Sequence, residues 1–125
     1  MRNLASILLF SLTLFAFQAA KTVADAKAKV KAAKFDEAIT ELDTALKGKA
    51  TPAETTQLKA ALAEAHLAQG NATMFNEQLP PMRKYPAALR SFRKVLEYDK
   101  NNAMAKKNID TIEGVYKSMG RPVPQ

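Results

Sequence analysis

Between residues 35 and 119 the apolar side chains recur at intervals of three and four, a period that suits α-helices buried along one face and no other regular structure. Residues 35–46 carry Phe35, Ala38, Ile39, Leu42, Ala45 and Leu46, with Asp36, Glu37, Glu41 and Asp43 between them. A second helix is expected over 52–69, with Leu58, Ala61, Leu62, Ala65 and Ala68 inward. Thr51 can cap it, Pro52 suits its first position, and Gly70-Asn71 should end it. A third spans 85–99 on Tyr85, Ala88, Leu89, Phe92, Val95 and Leu96. A fourth starts at Asn102 as N-cap and turns Ala105, Ile109, Ile112, Tyr116 and Met119 inward; Gly120 caps it, and Pro122 and Pro124 forbid continuation. Nothing alternates with the period of a strand, so the expected class is all-α.

The first twenty residues follow another rule. Arg2 supplies a positive start, and residues 4–17 (LASILLFSLTLFAF) hold no charge, the pattern of a signal-peptide hydrophobic segment. Extended to Ala20 the run makes about 25 Å of helix, short of a bilayer core of about 30 Å. Cleavage is therefore expected over anchoring, with an exported, periplasmic or secreted product starting between residues 19 and 27; a membrane-anchored form is the alternative. Ala24-Asp25-Ala26 is the better small-x-small site, whereas Ala19-Ala20 lies nearer the apolar run. Residues 21–125 then form the folded domain, and the net charge of +7 falls to +6 with the loss of Arg2.

The helices repeat. Phe35, Ala38, Leu42 and Ala45 align in register with Tyr85, Ala88, Phe92 and Val95: an aromatic, an alanine three on, a bulky residue four further and a small one three beyond. This resembles the second helix of the tetratricopeptide repeat. Residues 96–102 are similar to that family's inter-repeat turn, with Lys100 where its proline usually stands, and Leu62-Ala63, His66 and Gly70 match its first-helix pattern. The resemblance implies two helix-pair units with a C-terminal closing helix. The first helix of the first unit would run over 21–33, alanine-rich and with little bulk beyond Val23 and Val30. In that family first helices line a concave surface, which here would present Lys27, Lys31, Gln57, Glu64, Lys107 and Thr111 as a partner groove. Ala60 and Glu64 stand where the family's carboxylate clamp uses lysines and asparagines, so that ligand mode is not expected.

One departure from the family is an insertion. A single residue normally separates the glycine of the first helix from the aromatic of the second, yet residues 71–84 (NATMFNEQLPPMRK) lie between Gly70 and Tyr85. Pro80-Pro81 should forbid a continuous helix. Met74, Phe75, Leu79 and Met82 beside Arg83 then give either a short extra helix folded on the core or a partner-contacting loop. Asn71-Ala72-Thr73 is also a glycosylation sequon, meaningful only on a eukaryotic secretory route.

Chemistry has little to work with. A chain of 125 residues excludes a large multidomain enzyme, and the absence of cysteine removes disulfides, thiolate metal clusters and cysteine nucleophiles. The one histidine, His66, reads as a packed structural residue. No glycine-rich phosphate loop, nucleophile elbow or paired ligand histidines occur. No catalytic residue, metal or cofactor is expected. Residues 71–125 hold ten Lys/Arg against five acids, read chiefly as a solvated, solubilising face. The expected function is an exported scaffold that binds a protein or peptide, with no nucleic acid. The alternative is a membrane-anchored assembly factor or regulatory subunit whose basic helices face an anionic partner or lipid surface.

Overall fold

The computed structural model describes the backbone of residues 4–125 and the side chains from residue 18 onward. The helices are α1 (Leu4–Lys31), α2 (Phe35–Lys47), α3 (Pro52–Met74), α4 (Pro81–Tyr98) and α5 (Ala103–Ser118). No strand occurs among the described residues, so the chain is all-α. It divides into two compact units, Met1–Ala61 and Leu62–Gln125, with the boundary inside α3.

In the first unit α1 packs against α2. Ala26 and Ala38 are fully buried, and Leu42 and Leu58 nearly so; alanines at such points let two helix axes approach closely. Ala33 makes the turn between them with a left-handed φ of 59°. Around it Lys34 N–H reaches Lys29 C=O at 2.9 Å and Ala33 N–H reaches Val30 C=O at 3.0 Å, the double closure of a Schellman motif. Lys29 Nζ donates to Glu41 Oε2 at 2.5 Å, tying α1 to α2. That hydrogen bond holds the Lys29 pKa above its ordinary value. At the start of α3, Thr51 Oγ1 accepts from Glu54 N–H at 3.2 Å while Thr51 N–H donates to Glu54 Oε2 at 2.8 Å. This is a complete capping box, so Thr51 and Pro52 act as their sequence positions suggest.

A helix beginning at residue 21 is not what forms. α1 runs unbroken from Leu4, and residues 21–31 are its last three turns. The signal-segment expectation falls largely outside the described residues, which omit residues 1–3 and the side chains through residue 17. Among the described residues no helix is long and apolar enough to cross a membrane.

The second unit has a core of Ala88, Leu89, Phe92 and Val95 from α4 with Ala105, Ile112 and Tyr116 from α5, joined by Ala63 and Met74 of α3. Burying Phe92 alone contributes about 1.5–3 kcal/mol. Gly70 does not end α3, which continues one turn to Met74. The glycine instead permits close packing: a Cβ there would lie 2.6 Å from Phe92 Cε1. No helix is continuous through Pro80-Pro81, as expected, since residues 75–80 separate α3 from α4, and the pair opens the second of these helices. Pro80 is the extended N-cap residue of α4 and Pro81 takes its first position, where a missing N–H costs nothing.

Asn102 caps α5 as its position suggests, Oδ1 accepting from Ala105 N–H at 3.0 Å. The helix ends in a second Schellman closure at Gly120 (φ 64°), with Arg121 N–H on Tyr116 C=O and Gly120 N–H on Lys117 C=O, both at 3.0 Å. Met119, expected inward, lies just past the last turn and is exposed. The chain then lies against α4. Arg93 Nη1 donates to Pro124 C=O at 2.8 Å, and Val123 packs on the core.

Candidate functional site

The six groove candidates are all exposed, but the unit boundary divides them. Lys27, Lys31 and Gln57 belong to the first unit and Glu64, Lys107 and Thr111 to the second. Lys27 and Lys31 stand one turn apart on α1. Lys107 and Thr111 stand one turn apart on α5, where Thr111 Oγ1 donates to Lys107 C=O at 2.9 Å.

The insertion is smaller than its sequence suggests. α3 takes residues 71–74 and α4 takes 81–84, leaving only 75–80 between helices. Met74 is therefore not a loop residue: it ends α3, is 7% exposed and belongs to the core. Asn71 is likewise engaged, its Oδ1 accepting from Asn108 Nδ2 at 2.9 Å. Of the other loop candidates, Phe75 is 67% and Met82 49% exposed, Arg83 is exposed and Leu79 half-buried. The short loop is pinned from within. Gln78 N–H donates to Asn76 Oδ1 at 2.9 Å, Leu79 N–H to Asn76 C=O at 3.3 Å, and Lys84 Nζ to the same carbonyl at 3.4 Å.

A polar cleft of about 270 Å³ lies between α3 and α4 in the second unit. His66, Gln69 and Thr73 line it from α3, and Ala87, Arg90, Ser91 and Lys94 from α4. Both sets follow the three-and-four spacing that puts residues on one helix face. Ser91, only 8% exposed, donates to Gln69 Oε1 at 3.1 Å. His66, equally buried, is stacked on Tyr98 with ring centroids 6.0 Å apart and planes 10° from parallel, consistent with a packed structural histidine. Arg90 and Lys94 are exposed at the rim, where Lys94 Nζ bridges Glu97 at 2.9 Å. No carboxylate lines the cleft. In the sequence Arg90 and Lys94 merge into the basic excess of the C-terminal half. The signal that separates them is the polar cluster at 90, 91 and 94, opposite the apolar face.

Among the described residues no group of three or more His, Cys, Asp or Glu side chains converges as a metal ion would need. No family model, curated protein or solved structure matches the chain.

Proposed function

We propose that this protein is an exported, non-catalytic interaction module built from tetratricopeptide-like helical hairpins, taking a protein or peptide partner. The observation that carries the reading is Phe75. A large aromatic side chain, 67% exposed, sits on a loop whose own hydrogen bonds fix its backbone. Such an anchor is ordered before a partner arrives, which lowers the entropy cost of association, and aromatics dominate interface energetics. The repeat reading draws support from the α1–α2 and α3–α4 pairs, from Gly70 against Phe92, and from α5 covering α4. The α3–α4 pair departs from the family by an extra turn on each helix. The test is photocrosslinking in cells expressing the protein, with the reactive group at position 75 and, as control, at exposed Asp110. A discrete adduct from 75 and none from 110 is expected; equal yields would remove the interaction role.

A second reading, the membrane-anchored assembly factor, is favoured by the unbroken course of α1 from Leu4 to Lys31. A cut near Ala20 removes one buried residue of α1, Ala19 (8% exposed), whereas a cut after Ala26 removes fully buried Ala26 as well, which speaks for the earlier site. Sequencing the N-terminus of the cellular protein separates the readings. A start near Lys21 is expected, and an intact Met1 found only in membranes would establish the anchor.

A further inference from the structure

We propose that the cleft between α3 and α4 is a binding site for a phosphate monoester. Two cations, Arg90 and Lys94, stand one turn apart on α4 at the rim of a cleft that Gln69, Thr73 and Ser91 also line, and no carboxylate lines the cavity. Two positive charges match a phosphate monoester, which carries nearly two negative charges at neutral pH, better than the single charge of a carboxylate. The donor set suits a tetrahedral group as well. The Arg90 guanidinium offers paired N–H groups, Lys94 an ammonium and Thr73 a hydroxyl, converging from two helices on three or more phosphate oxygens.

The floor of the cleft is built rather than accidental. The Ser91 hydroxyl holds the Gln69 amide by its oxygen at 3.1 Å, tying the two helix walls together at the base of the cleft. Ala87 keeps the α4 wall low where a bulkier residue would fill the space. The volume of about 270 Å³ admits a phosphate together with the first atoms of whatever carries it. Glu97 competes for Lys94 in a bridge with both side chains more than half exposed; water screens such a pair strongly, so a phosphate can displace it. Five basic residues against one acidic residue along α4 set a positive field that draws an anion toward this wall.

The proposal is independent of the protein-interaction reading, which rests on Phe75. It is tested by titrating the full chain with inorganic phosphate and with glycerol 3-phosphate at constant ionic strength, following backbone amide resonances. Saturable shifts confined to residues 66–73 and 87–94 are expected, with acetate binding more weakly. Arg90→Gln and Lys94→Gln should each weaken binding about tenfold, the loss of one charge-assisted hydrogen bond, and Arg90→Lys should weaken it less. Both positions are exposed, so unchanged melting temperatures will show that the variants fold. Absent or non-saturating shifts, or wild-type affinity in both Arg90→Gln and Lys94→Gln, would overturn the site. Vesicles with and without phosphatidic acid, competed with glycerol 3-phosphate, identify the carrier: release by the competitor assigns a lipid headgroup, and no release a soluble phosphate ester.

Discussion

Ala33 and Gly120 occupy the same position in two Schellman closures, yet only one of them is a glycine. An L-residue held in the left-handed region costs about 1–2 kcal/mol, which Gly120 avoids and Ala33, at φ 59°, does not. Ala33→Gly should therefore raise stability by about 1 kcal/mol, read as an upward shift of the denaturant midpoint; a lower midpoint would show that the turn is not left-handed. Gly70 gives the opposite result for a different reason. Alanine in a helix interior normally gains about 1 kcal/mol over glycine, but here its Cβ meets fully buried Phe92 at 2.6 Å. Overpacking of this sort costs about 1–3 kcal/mol, so Gly70→Ala should destabilise. Adding Phe92→Leu should recover part of the loss, whereas strictly additive losses would separate the two positions.

At the scale of elements, residues 71–84 illustrate what helical periodicity can and cannot announce. Replacing that whole segment with a tight turn should unfold the second unit, since it removes Met74 from the core and Asn71 from its bond to Asn108. Met74→Ala alone should cost about 2–5 kcal/mol, while removing one or two residues from 76–78 and keeping Pro80 should cost about 1 kcal/mol or less, because closure entropy depends weakly on loop length. Thermal melts of the three variants check this, and a full replacement as stable as wild type would sink it. The sequence period located the apolar faces of α2, α4 and α5 well, because those helices bury one stripe. The ends of α3 and the start of α4 were illegible for a local reason. Gly70 and Pro81 are ordinary stop signals, and whether they stop a helix depends on Phe92 approaching one and on helix position for the other, both tertiary facts. The cleft was hidden similarly: Arg90 and Lys94 look like surface charge until His66, Gln69 and Thr73 of another helix face them.

For the molecule as a whole, two ion pairs set how the first unit answers pH. In the first, Asp25 is held below its ordinary pKa by the hydrogen bond from Lys21, and Lys29 above its own by Glu41. The Asp25 contribution is present above its unfolded pKa of about 3.8 and is lost as pH falls below it. The Lys29 contribution is present below about 10.5 and is lost as pH rises past the raised value. Lys21 is raised in the same way by Asp25, so these pairs leave the first unit flat across neutral pH, with an alkaline limb that Lys29→Met should reduce but not remove in melts above pH 10; a limb of unchanged size would assign it elsewhere. The contact between Gly70 and Phe92 has a consequence over descent as well. Neither position can drift alone, since a side chain at 70 needs a smaller ring or none at 92. Related chains should therefore change the two together or leave both untouched.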